Sequence, residues 1–543
     1  MPTESQKAVY SPWSPFRYRV FTVMWSATVI SNIGTWMYNA AAGWLMTDLT
    51  TDALTISLVQ VAANLPMFLF ALPAGTLADI LDKRKFLLAS QIVTTVICAA
   101  FATLVWRNQV TPHLLLVFMF FIGAGGAFMI PAWQSIVPTL VPPSDLTPAV
   151  AANSAGVNIS RAVGPALAGA TIAVLGIAAP FWINAASNLA TISALMWWPA
   201  PARRSGDLPP ESFVGAMGTG VRHATHNPAL KATIMRALAF FPFASAYWAL
   251  LPLLARHQIA GGSELYGILL GAIGAGAVAG AFVLPRLKAV VGADWMAVLG
   301  TVATAAAMAL FGVAREPILA LAASIIAGIA WITTLASLNV SAQFALPDWV
   351  RARGLAIFVT VMFAAMTFGS ALWGHVAESA GAPTALFAAA AGALLGVPIS
   401  RRWKLQTGAD LDLTPSMHWP TPAPACTIQA DTGPVLVTVE YRLAIGNQRD
   451  VLITAIRELG RERWRDGAYS WRMVEDTAEP ALLIEIFLVH SWLDHLRQHE
   501  RVTNADRELQ RRIRGLVAVA PAVRHLIAVR IDNGLLAITG ASD

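Results

Sequence analysis

From Phe16 to Ile399 the chain reads as a succession of long apolar blocks separated by short polar links, and this pattern constrains the fold more than any other feature. About 20 mostly apolar residues are needed to cross a bilayer as a helix. In lipid every backbone amide must be bonded within its own segment, so uninterrupted blocks of this length become helices. Spans are predicted near 18–46, 54–78, 86–106, 112–138, 146–176, 178–198, 230–256, 265–287, 293–313, 317–345, 349–379 and 382–399, twelve in all. Composition agrees: 56% of residues are hydrophobic and only 13% charged, where a soluble globular chain carries about a quarter. From Asp431 onward Arg, Glu, Asp and His recur as they do in a water-soluble domain.

The Lys/Arg bias of the links sets orientation. With the N-terminus in the cytoplasm, that side receives Lys7, Arg17, Arg19, Lys83, Arg84, Lys85, Arg203, Arg204, Arg222, Lys231, Arg286, Lys288, Arg351, Arg353, Arg401, Arg402 and Lys404. The other side receives Arg107, Arg256 and Arg315. Both termini are therefore expected in the cytoplasm of a bacterial cell, the chain lying in the inner membrane. The net charge of +6 is spread over helix ends and the tail, which argues for topology rather than for nucleic acid. Cys98 and Cys426, one in an apolar block and one in a Pro-rich link, imply no disulfide framework. The first fifteen residues lack the short apolar region of a removable signal peptide.

The longest link, 199–228, with Pro199, Pro201, Pro209 and Pro210, divides the spans into halves at 1–198 and 229–404. Gln134 with Val137-Pro138 recurs 209 residues later as Gln343 with Leu346-Pro347. Two six-helix repeats suit an alternating-access transporter whose site lies near the midplane between halves.

Three motifs carry chemistry. Gly75-Thr-Leu77-Ala78-Asp79-Ile-Leu-Asp82-Lys83-Arg84-Lys85 lies between spans two and three. It resembles the cytoplasmic loop motif of the major facilitator superfamily, departing from it at Ile80 and Asp82. The resemblance implies a gate in which Gly75 allows close helix approach and Asp79 meets the start of span eleven, where Asp348 precedes Arg351 and Arg353. Gly156-(x7)-Gly164-Pro165-(x3)-Gly169 on span five is similar to the Gly-Pro motif of the superfamily's antiporters and exporters, which implies outward transport. The Arg that many such antiporters carry in span four is absent, Met119 standing in its place; the intramembrane Arg is Arg161, near mid-depth of span five. A charge there costs at least about 2.5–3.5 kcal/mol and marks function by default. It can hold an anionic substrate group, or a carboxylate or carbonyl of another helix.

The segments 31–37, 72–75, 131–134, 158–165 and 346–354 taken together resemble the bacterial branch called transmembrane secretion effectors, which includes enterobactin-type siderophore exporters. A bulky small-molecule substrate would meet polar and aromatic residues at mid-span: Asn32 and Trp36, Gln134, Asn158 and Arg161, Tyr247 and Trp248, and Trp331, with Asn339 further along the same span. Protons are the candidate coupling ion. Spans one to six have no acid at mid-depth, and His375 with Glu378 is the nearest ionisable pair. A phosphate-binding loop with Lys-Ser/Thr is absent, which argues against ATP-driven transport.

A Pro-rich spacer, 405–430, leads to a domain over 431–543. Strands are predicted at 435–441, 469–475, 482–489 and 523–531, with helices at 447–465 and from a cap at Ser491 to about Arg514. That order suggests a ferredoxin-like unit, and the domain is similar to dimeric α/β-barrel domains of the antibiotic-biosynthesis monooxygenase type, which implies a homodimer through the tail. His495 and His499, four apart, could share a metal with His490 or Asp494. A polar helix face lining a cleft is the preferred reading, so neither metal nor cofactor is expected. The domain reads as regulatory, dimerising or ligand-sensing, or as a tethered enzyme that modifies the metabolite.

Overall fold

The computed structural model describes residues 13–199, 213–406, 412–416, 418–419, 428–444 and 448–528. Lys7, Arg203, Arg204, Cys426 and most of the Pro-rich spacer lie outside them. The chain forms two compact units.

The first unit comprises Met1–Met217, Ala232–Gln343 and Leu355–Thr407. Its helices are α1 (Arg19–Leu49), α2 (Ala53–Ile80), α3 (Lys83–Trp106), α4 (Pro112–Ile136), α5 (Leu146–Leu175) and α6 (Ala179–Trp197), then, after α7 (Phe213–His226), α8 (Pro228–Leu253), α9 (Ser263–Val313), α10 (Pro317–Phe344), α11 (Arg351–Ala380) and α12 (Ala382–Ser400). Gly292, at φ 79°, breaks α9 into two spans, Ser263–Leu284 and Val290–Val313. Ten segments among the described residues are long and apolar enough to cross a membrane; α1 and α6 are not among them. Helix starts follow the sequence closely. Asp52 accepts from the amides of Leu54 and Thr55, and Asp82, the residue that departs from the superfamily motif, caps α3 through Lys85. Within the stretch expected to be a plain loop, α7 forms a short helix.

Packing between helices depends on absent side chains. Lipid is as apolar as leucine, so helices associate where small residues let backbones approach. At Gly164 a Cβ would stand 2.9 Å from the Ile33 carbonyl oxygen of α1; at Gly169 it would stand 2.7 Å from the Ser263 carbonyl oxygen of α9; at Gly267, 2.7 Å from the Pro165 carbonyl oxygen. Thus α5 is seated between α1 and the first span of α9. The ends of these helices also meet. Arg256, just past α8, bonds Thr47 and Asp48 of α1, and Trp44 stacks on Tyr266 with ring centres 5.9 Å apart.

The second unit comprises Gly218–Lys231, Phe344–Gly354 and Gly408–Asp543. In it β1 (Val435–Arg442), α13 (Arg449–Asp466), β2 (Ser470–Glu475), β3 (Leu482–Val489), α14 (Trp492–Arg501), α15 (Asn504–Arg514) and β4 (Ala522–Ile527) build one antiparallel sheet in the order β2-β3-β1-β4. Val435, Val437, Val439 and Tyr441 alternate inward from β1 onto Leu452, Ile456 and Leu459 of α13. The single helix expected from Ser491 to Arg514 is two: Thr503 and Asp506 form a reciprocal capping box that restarts the chain after Val502.

At Gly75 a Cβ would meet nothing within 4 Å among the described residues, so no close helix approach is seen there. A paired test follows. Gly267→Ala should lower the thermal midpoint of the detergent-solubilised chain, because overpacking against rigid backbone costs about 1–3 kcal/mol and outweighs the roughly 1 kcal/mol alanine gains over glycine in a helix. Gly75→Ala should leave the midpoint unchanged or raise it. Equal behaviour of the two variants would refute the packing argument.

Candidate functional site

The seam between α1 and α5 positions the intramembrane charge. Arg161 lies one turn before Gly164, and its guanidinium carbon sits 5.3 Å from the centre of the Trp36 ring, a cation–π distance. Its Nε is buried with no hydrogen-bond partner among the described residues. Tyr247 of α8 is close enough to Arg161 to interact with it electrostatically. From Tyr247 an aromatic chain continues: its ring centre is 5.4 Å from Trp248, and Trp248 is 5.5 Å from Trp331 of α10. The Tyr247 hydroxyl and the indole nitrogens of Trp248 and Trp331 are likewise buried with no hydrogen-bond partner among the described residues.

These groups come from both halves of the sequence and share one property. Arginine and indole N–H groups only donate. Unpaired buried donors are costly in a low-dielectric interior, so the arrangement suits a ligand bringing acceptor oxygens together with apolar or aromatic surface. Other predicted members fall elsewhere. Asn158 spends its amide on the Ser154 carbonyl of its own helix at 3.0 Å, Gln134 is exposed at the end of α4, and Asn32 is half-buried one turn before Trp36. The sequence reading passed over Tyr38, fully buried against Phe101 and Phe181 with its hydroxyl unpartnered; a tyrosine two residues after Trp36 was its only signal.

The gate residues divide between the units, and the Asp79 side chain lies outside those described. Arg84 donates to the Leu195 carbonyl at 2.7 Å and to that of Met196, capping the C-terminal turn of α6. Arg351 pairs with Asp348 at 2.6 Å and donates to the Leu346 carbonyl. His375 and Glu378 are 4.0 Å apart.

The second unit holds another constellation. The α10–α11 loop is gripped by side chains of α7 and of the C-terminal sheet domain. Asn227 donates to the Ala345 carbonyl at 2.7 Å, and its amide lies 3.1 Å from His223. His223 meets the Trp349 ring edge-on, and Arg501, at the end of α14, lies 4.4 Å from the centre of the same ring. Trp464 of α13 stacks on His226, and Arg222 reaches the Gly467 carbonyl. Beneath this, a cavity of about 170 Å³ opens between β1, α13, α14 and β4. Arg463 forms part of its wall, held by the fully buried Glu485, which also accepts from Tyr441 at 2.8 Å and from Trp471 at 2.9 Å. His495, His499 and His525 line the same cavity. Burial holds His495 down to about 3 and His499 to about 4. The partners expected for them go elsewhere: His490 stacks on Tyr469 and Asp494 serves Ser491 and Arg497. His525 stands in their place.

A family model described as transmembrane secretion effector matches residues 10–532. The Staphyloferrin A transporter of Staphylococcus aureus is 24% identical over 272 residues, covering 49% of this chain and 67% of that one. Macrolide efflux protein A of Streptococcus pyogenes is 23% identical over 270 residues, 47% of this chain and 66% of the relative. The multidrug efflux pump Tap of Mycolicibacterium fortuitum is 27% identical over 214 residues, 38% and 52%. The chain thus spans about half to two thirds of the length of these relatives. Among solved structures, a POT family transporter in complex with a thioalcohol conjugated peptide aligns at TM-score 0.58 and 13% identity over 70% of this chain and 95% of that one. The nucleoside transporter NupG aligns at 0.57 and 13% over 71% and 100%. Likeness at such identity shows the fold alone.

His223 supplies a pH test. Burial, then the charges of Arg465 and Arg501, lower it to about 3, against about 6.5 unfolded. The unfolded chain therefore binds the extra proton first, and stability falls as pH drops below about 6.5, by up to about 1.4 kcal/mol per unit. Divided by the intrinsic exchange rate at each pH, hydrogen exchange of the α10–α11 loop and α7 should rise as the pH falls from 7 to 5, and His223→Gln should flatten that rise. An unchanged profile in the variant would remove His223 as the cause.

Proposed function

Because the chain belongs to the transmembrane secretion effector family, we propose that it exports a bulky, acceptor-rich small molecule by alternating access, through a site built on Arg161, Trp36, Tyr247, Trp248 and Trp331. It is a multi-pass membrane transporter with efflux relatives. The observation that carries the substrate reading is the buried, unpartnered set of donors running from Arg161 on α5 to Trp331 on α10. Siderophores, lipophilic drugs and secondary metabolites with carboxylate, carbonyl or phenolate oxygens have that chemistry, and the relatives include a staphyloferrin A transporter and a macrolide efflux protein.

The same reading takes α1 and α6 as spans, giving twelve helices in two halves with both termini in the cytoplasm of the inner membrane. The Lys/Arg asymmetry supports it. The Gly75–Lys85 motif is kept as a gating element on its sequence pattern, together with Arg351 and Arg353. Protons are the proposed coupling ion. His375 and Glu378, 4.0 Å apart near the end of α11, are the ionisable pair proposed to carry the coupling.

For the tail the sensor reading is favoured over the tethered enzyme. Its support is the set of contacts to the α10–α11 loop, because a domain that only modifies metabolites needs no hold on Trp349. The sheet order supports a ferredoxin-like unit, and a homodimer through it belongs to the same proposal.

Export from proteoliposomes with an imposed pH gradient tests the membrane part. Arg161→Ala should weaken apparent substrate affinity about 10- to 100-fold, the worth of a charge-assisted hydrogen bond, while Glu378→Gln should keep affinity and lose dependence on the gradient. Normal transport by Arg161→Ala would sink the site. For the tail, Arg501→Ala should raise hydrogen exchange in the α10–α11 loop and change the export rate while affinity stays constant.

A further inference from the structure

The C-terminal cavity has a donor set that neither the family nor the relatives account for. His495 and His499 sit one turn apart on α14, and their Nε2 atoms are 3.3 Å from each other. His525 enters from β4, opposite Val437 of β1, with its ring centre 4.7 Å from that of His495. One ligand nitrogen from each of the three lies within 4.8 Å of the others. In a tetrahedral site with metal–nitrogen bonds of about 2.0–2.1 Å, neighbouring ligand atoms stand about 3.3 Å apart. The α14 pair already has that spacing, and a small rotation of the exposed His525 would bring it to the same value.

A hydrogen bond between two imidazoles would also give 3.3 Å. It would leave the third ring unexplained, and all three would be neutral groups gathered at one cavity for no structural gain. It would also leave His495 Nδ1, His499 Nδ1 and both polar atoms of Gln498 buried without good partners, as they are.

We propose that His495, His499 and His525 bind a divalent first-row transition-metal ion of the zinc class, with its fourth position open to the cavity. Three neutral imidazoles leave the ion's charge uncompensated. Glu485, the carboxylate in this core, is committed to Arg463, Tyr441 and Trp471. The fourth ligand is then water or an oxygen-donor anion from the cavity. The site goes beyond the export reading and stands independently of it. Its position gives it a readout: α14 carries both metal-facing histidines and, at its end, Arg501 on Trp349.

The test uses the full-length, tag-free chain in detergent, titrated with Co2+ and then with Zn2+. The expected result is one Co2+ per chain with the strong visible absorption of a four-coordinate ion, displaced by Zn2+ and unaffected by excess Mg2+. His495→Asn with His499→Asn should abolish the spectrum. His525→Asn, on the exposed strand where folding is not at stake, should weaken binding about 10- to 100-fold, and His490→Asn should bind as the native chain does. Absence of the four-coordinate spectrum, or native affinity in His525→Asn, would overturn the assignment.

Discussion

Helices in a bilayer gain nothing from hiding apolar surface against each other, and the rest of this structure depends on how that difficulty is met. The answer is the run of small residues along α5. Gly164 lets the backbone of α1 approach, and Gly169 with Gly267 lets α9 approach on the other side. This seam fixes α5 between helices from the two halves of the sequence. Side chains on α5 consequently hold their depth and direction through packed backbone rather than through long side chains that could adjust.

Arg161 benefits from that placement. A guanidinium at mid-span is tolerated because Trp36 lies over it and Tyr247 stands nearby, yet its Nε keeps an unmet hydrogen bond. A full set of protein partners would make the arginine a structural brace. Among the described residues the set is incomplete, and buried indole nitrogens without partners continue it across α8 and α10.

Much of this was legible in the sequence, and the failures have physical causes. Apolar blocks located the helices within a few residues, since length and hydropathy act locally, and Arg161 stood out because charge in lipid is expensive. Trp36, Tyr247, Trp248 and Trp331 were grouped by their depth along the spans, but which of them touch depends on packing that no single helix encodes. A glycine in a motif, such as Gly75, does not say which neighbour is close, and only coordinates show the space around it. The break at Val502 was written in Thr503 and Asp506, a capping pair hidden by the continuous amphipathic pattern around it. His525 could not be joined to His495 and His499 before the sheet order was known, because a strand pairing brings it beside them across some thirty residues of chain.

The C-terminal domain shows the same logic in water. Its sheet packs β1 on α13, and the core residues Val437, Val439, Leu459 and Phe487 also form the apolar wall of the histidine-lined cavity. What the domain grips is also specific: the loop between α10 and α11, through Trp349 on one side and Asn227 at the Ala345 carbonyl on the other. A loop joining two long helices amplifies small displacements of its middle. His495 and His499 at the cavity and Arg501 at Trp349 stand on one ten-residue helix, so the cavity wall and the loop contact share a single element.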